Sequence, residues 1–262
     1  MGEPDTSPDQ PEWPPWAGTL PRLLPRIEAL HTRYVVEVVE DLSLCPFARR
    51  CREQGRLHRP TFLAAAAPEA DAVARDLASL LARHRDAEIV LLTFITRGAV
   101  PGAAPPPTEA ERAFADPERF EEVVREIRDA YAAVAPLGPR FYMVGFHPAF
   151  TRADPRRPLT ADALVPLLRR TPDPVIQCVR ADLLDDLRRQ AQAAADARFR
   201  EEMARLGPEF AVLAEHAIRS DPELGHDIAR HNFASVGAGA GRERLEAKIT
   251  DILAARLALE LP

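Results

Sequence analysis

The strongest constraint on this chain is the run Phe141-Tyr142-Met143-Val144-Gly145-Phe146, which ends in His147-Pro148. Six consecutive apolar or small residues, rich in aromatic and β-branched types, predict a strand buried on both faces. Proline has no N–H for a central strand and biases the residue before it toward extended geometry. The strand therefore ends at His147. Open α/β sheets bind their ligands beyond the carboxyl ends of such strands, so a site containing His147 is expected there.

Three more strands are expected, at 61–65, 88–95 and 174–179, of which Glu88 to Ile95 is the clearest. Helical stripes separate them. Ile27, Leu30, Tyr34, Val38 and Leu42 share one face; Val73, Leu77, Leu80 and Leu81 another, in a helix over 68–84. Asp116-Pro117 supplies an N-cap and a first-turn proline for a helix to about 135, with Phe120, Val124, Ile127 and Tyr131 inward. This alternation predicts an α/β fold: a roughly four-stranded sheet with packed helices, plus a helical C-terminal extension. The pattern does not choose between a ferredoxin-like and a doubly wound strand order.

Seven prolines before residue 26 mark a flexible arm over 1–25, which Trp13 and Trp16 could pin to the body. A single α/β domain is expected over 26–237, with a helical insert at 188–222. Residues 238–262 are read as a linker and final helix, with the glycine-rich 234–241 stretch flexible. The final helix carries Leu245, Ile249, Ile252 and Leu253 on one face, a surface for docking on the body or for self-association.

Composition narrows the function classes. A net charge of −6 without a basic stripe argues against nucleic acid. Lys248 is the only lysine, which makes Schiff-base chemistry improbable. Cys45, Cys51 and Cys178 are too few and odd in number for a secreted disulfide scaffold, and fit reduced thiols in the cytoplasm. The acidic N-terminus leads into no apolar segment of signal-peptide type, and no run approaches the roughly 18 apolar residues of a membrane span. Walker, G-x-G-x-x-G and G-x-S-x-G motifs are absent.

Two residues stand out chemically. Cys45 precedes Pro46 at an expected helix start, where the helix dipole and the nearby Arg49 and Arg50 favour the thiolate. Its bland alternative is a buried cysteine acting as a small hydrophobe. His147 could shuttle protons or merely cap a strand end. Together they would have the nucleophile–base logic of covalent catalysis. An arginine in Arg169-Arg170-Thr171-Pro172-Asp173-Pro174 could fork onto a carboxylate or phosphate, against the alternative of a solvated helix-end arginine. His226 and His231 are five apart, a poor spacing for one helix face, and Cys45 and Cys51 lack C-x-x-C spacing, so no metal site is expected.

The chain resembles a bacterial family catalogued as domain of unknown function 1415. The likeness rests on Leu42-Ser43-Leu44-Cys45-Pro46-Phe47-Ala48, on Phe146-His147-Pro148, and on Arg170-Thr171-Pro172-Asp173-Pro174, where the family has serine at the position of Thr171. A weaker match lies at Ile228 to Asn232, where His231 stands in place of an arginine. The resemblance implies that Cys45, His147, Arg170 and Asn232 converge, and supplies no substrate.

The leading expectation is an enzyme with a cysteine/histidine-centred pocket for a small anionic or amide-bearing molecule, Cys45 and His147 being catalytic and Arg170 and Asn232 binding the substrate. Its cofactor is unspecified. One alternative is a haem- or metal-binding sensor using Cys45 and His147, both known axial residue types. Another is a structural or interaction protein.

Overall fold

A computed structural model describes residues 20–106, 108–150, 161–206 and 232–259. Leu20–Arg33 (α1) runs directly into a π-helical segment, Tyr34–Glu40. The last residues of the expected arm thus belong to a helix: Pro21 lies in its first turn, where a missing N–H costs nothing. After Ala48–Glu53 (α2) come two short strands, Leu57–His58 (β1) and Thr61–Leu63 (β2), then Ala70–Arg83 (α3) and Ile89–Ile95 (β3). Glu109–Ala115 (α4) and Pro117–Val134 (α5) lead to Phe141–Phe146 (β4). Ala161–Leu168 (α6), Val175–Arg180 (β5), Ala181–Leu206 (α7) and Gly239–Leu257 (α8) follow, besides a 3-10 turn at Ala64–Ala66 and a short helix at 232–236.

The fold is α/β with one open mixed sheet of five strands. Its order is β1-β3-β5-β4, and β2 pairs with the same edge of β3 further along. Arg59-Pro60 divides what is otherwise one edge strand, because Pro60 has no N–H for the ladder. β1 and β2 run parallel to β3, whereas β5 is antiparallel to both β3 and β4. The order is neither ferredoxin-like nor doubly wound throughout.

One face of the sheet carries the main core. Val90, Leu92 and Phe94 of β3, Ile176 and Cys178 of β5 and Met143 of β4 pack on Val73, Leu77, Phe120, Val124 and Ile127. The Asp116 carboxylate accepts from the N–H groups of Glu118 and Arg119, capping α5 where the sequence places its start. Gly145 lets α5 approach β4, since a Cβ there would lie 2.9 Å from Glu121 Oε1 and 3.2 Å from Val124 Cγ2.

Two expectations need correction here. β4 is an edge strand and is buried on one face only; Tyr142, on the other, is 42% exposed. The 234–241 stretch is no flexible link. Residues 232–236 are helical and α8 starts at Gly239. A Cβ at Gly241 would lie 2.2 Å from Ser235 O, so glycine permits the two helices to touch.

The final helix packs against the body. Leu245, Ile249, Ile252 and Leu253 are buried with Tyr34, Val38, Leu164 and Leu167, so the apolar stripe offered for self-association is already covered by the chain itself. At its end Arg256 donates to both carboxylate oxygens of Asp173, at 2.9 and 2.7 Å. The His31 ring donates to Asp173 Oδ2 at 3.1 Å. All three residues are buried. This cluster ties α1, α8 and the approach to β5 together. No described helix is long and apolar enough to cross a membrane.

Candidate functional site

The site follows from the face of the sheet that the main core leaves over. Side chains alternate along a strand, so Tyr142, Val144 and Phe146 of β4 point away from α5, beside Gln177 and Val179 of β5. They floor a cavity of about 320 Å³. Leu44, Cys45, Pro46 and Phe47 roof it; Leu164, Val165, Leu168 and Arg169 form one wall, and Asn232 and Tyr34 close it. The apparently two-sided burial of the 141–146 run therefore has a second meaning. Its other face is apolar because it floors a cavity.

Local chemistry fixes the roof. The π-helical segment ends at Glu40, whose buried carboxylate takes a two-pronged contact from Arg52 at 2.6 and 2.9 Å. Ser43 then adopts a left-handed conformation, with φ of 54°, and turns the chain back over the sheet. Tyr34 donates its hydroxyl to Leu168 O at 2.7 Å, linking the π-helical segment to the end of α6. Single π turns inside helices are frequent at functional sites.

Cys45 faces this cavity and is half-buried. Helix α2 starts at Ala48, later than expected, after a turn at Pro46-Phe47. The Cys45 thiol nevertheless accepts from the Phe47 and Ala48 N–H groups, which favours thiolate. Burial opposes this and prevails, pushing the thiol above its ordinary value, with Glu40 adding to the push. The two arginines expected to activate it are engaged elsewhere. Arg49 sits 3.5 Å from Glu40, and Arg50 lies 2.6 Å from Glu88. An activated thiolate is not what the chain builds.

His147 does not share the cavity. By strand parity it falls on the side of α5, with Met143 and Gly145. Its Nε2–H donates to Phe114 O at 2.9 Å, and Nδ1 accepts from the Ala149 N–H at 3.1 Å. The ring is fully buried against Phe120 and Phe150. Desolvation holds its pKa down to about 4, so the imidazole is neutral with both nitrogens satisfied. It joins the end of α4 to the end of β4. The expected Cys45–His147 pairing is therefore overturned, and with it a haem held axially by both residues, because the sheet stands between them. The stretch itself borders the cavity through Phe146, one residue earlier.

The same displacement by one residue occurs at the arginines. Arg170 is buried, and its Nε donates to Pro148 O at 3.2 Å. Its neighbour Arg169 lines the cavity, makes no ion pair within 4 Å among the described residues, and is destabilised as a cation by burial. The dipeptide offered both arginines and the motif resemblance named Arg170, but only the turn after α6 decides which one faces inward. Sequence reasoning also missed Gln177, whose lone amide in an apolar strand was a readable signal.

Asn232 is placed in the cavity as expected. It is 6% exposed, and its Oδ1 has no hydrogen-bond partner. Buried polar atoms are nearly always satisfied, so an orphan in a cavity wall points to a missing donor. Among the described residues no cluster of three or more acidic, cysteine or histidine side chains could hold a metal. Trp13, Trp16, His226, Asp227 and His231 lie outside the described residues.

Chemically, the cavity offers an apolar floor and roof, the Arg169 guanidinium and the Asn232 Oδ1, neither with a close partner among the described residues. No family model, no curated protein and no solved structure matches the chain.

Proposed function

We propose that this chain binds a small carboxylate with an apolar body and a hydrogen-bond donor beside its acid group, as in a 2-hydroxy acid. The observation that carries this reading is the buried Asn232 Oδ1, without a hydrogen-bond partner among the described residues, in the same apolar cavity as Arg169, which has no ion pair within 4 Å among them although the charge of Glu121 acts on it. A desolvated guanidinium favours a planar anion that accepts two parallel hydrogen bonds. An orphan amide oxygen favours an O–H or N–H. The floor of Tyr142, Val144 and Phe146 takes the rest of the molecule. Cavities of this volume and mostly apolar lining are typical for ligands of that size.

The motif resemblance supports convergence on this cleft while changing the side chains involved. Cys45 and Asn232 face the cavity, and Phe146 and Arg169 take the places expected of His147 and Arg170. Binding is favoured over thiol-based covalent catalysis because burial raises the Cys45 thiol and His147 lies on the other side of the sheet.

The test is calorimetric titration of the full chain with decanoate and 2-hydroxydecanoate. The hydroxy acid should bind about tenfold more tightly, and Asn232→Leu should remove that difference. Arg169→Met should weaken both ligands, and Val144→Trp, which fills the floor, should abolish them. Occupancy should also shield Cys45 from iodoacetamide. Failure of both acids to bind, or binding that survives Val144→Trp, would overturn the reading.

A further inference from the structure

The cavity has an inner chamber. Tyr34, Val39, Phe146 and Gln177 line both the main cavity and a smaller one of about 50 Å³ deeper under the π-helical segment. The smaller chamber reaches across β5 and β3 at Val175, Leu91 and Ile89 to Leu57 and Arg59 at the opposite sheet edge. The two chambers therefore adjoin over the second face of the sheet, on a line from β4 to β1.

Arg59 ends the inner chamber. Parity places it on the face of Leu57, and Pro60 breaks the edge strand directly after it. Its Nε is buried without a hydrogen-bond partner. Its remaining described contact, from Nη1 to Thr32 Oγ1 at 3.3 Å, is exposed. No carboxylate lies within 4 Å among the described residues; the charge of the exposed Glu28 acts on it from further away. His31 and Thr171, which share the chamber, are both engaged, His31 with Asp173 and Thr171 with the Asp173 carbonyl. A half-buried cation whose Nε–H is buried without an acceptor is costly, and the cost is recovered when a ligand carboxylate supplies that acceptor.

We infer that Arg59 is a second anion subsite, so that the ligand of the proposed pocket carries an acid group at each end. This rests on the reading of the outer cavity and adds the chemical class: a chain with terminal carboxylates, its apolar middle lying across the sheet. Three strand spacings separate β1 from β4, about 14 Å at about 4.8 Å each. The inner chamber has room for a carboxylate and little more. Tyr34, Val39 and Phe146 stand where the two chambers adjoin, so a slender middle is what the proposal requires.

The experiment compares decanoate with decanedioate, by calorimetric titration of the wild type, Arg59→Met and Arg59→Lys. The diacid should bind wild type at least tenfold more tightly than the monoacid. Arg59→Met should erase that preference by bringing the diacid down to the affinity of decanoate; Arg59→Lys, which keeps the charge, should retain part of it and report on the site if the methionine variant folds poorly. Equal affinities in the wild type, or a preference that persists in Arg59→Met, would overturn the second subsite alone. Absence of binding by either acid would overturn the pocket reading as well.

Discussion

Cys45 and His147 illustrate how a side chain's environment sets its chemistry. The Cys45 thiol is held above its ordinary value because burial outweighs two backbone N–H groups. Its alkylation rate should therefore rise only at pH above the usual thiol value of about 8.5. The rate–pH profile should be the same in His147→Ala, measured under conditions where that variant stays folded; a limb that moves with His147 would restore the catalytic pair. His147 has a structural effect instead. Its folded pKa of about 4 lies below the unfolded value of 6.5. The unfolded state thus binds the proton first, and stability is complete above about pH 6.5 and declines as pH falls toward 4. The loss is on the order of 3 kcal/mol. Urea titrations between pH 7 and 4 should show this decline, and His147→Gln should flatten the part of it that belongs to this residue.

At the scale of elements, the buried Asp173 cluster decides where α8 sits. Arg256 is the main charge that holds the Asp173 carboxyl down to about 2 despite its burial. Because that value lies below the unfolded carboxylate range, its contribution is present at neutral pH and is lost as pH falls through about 2. Arg256→Met leaves a buried carboxylate short of its partner and should cost about 3–5 kcal/mol. Asp173→Asn with Arg256→Met should recover part of this, since no uncompensated charge remains; denaturant midpoints of the two variants test it. The π-helical segment is the second decisive element. It carries Tyr34 and Val39 over the sheet, and its end at Glu40 forces the left-handed Ser43 that lowers Cys45 onto the cavity.

For the whole molecule, a ligand that binds only the folded chain must stabilise it. Decanedioate at about 100 times its dissociation constant should add about 2.7 kcal/mol and raise the melting temperature accordingly; a midpoint unmoved by saturating diacid would contradict binding to the native state. The sequence by itself determined the α/β class, β3 and β5, the α5 cap at Asp116 and the stretches that border the cleft. These depend on local periodicity and on single capping or turn residues, whose physics acts within a few positions. Tertiary structure alone decided that β4 is an edge strand, that Phe146 rather than His147 faces the cleft, and that Arg169 rather than Arg170 does. A shift of one residue along a strand or a helix end reverses the direction of a side chain, and apolar composition looks the same whether a face meets a core or a cavity. The partners of Arg59 and Asp173 were hidden for a related reason. Whether a buried charge has its counterion depends on residues far away in the chain, such as Arg256, which only the folded packing brings to Asp173.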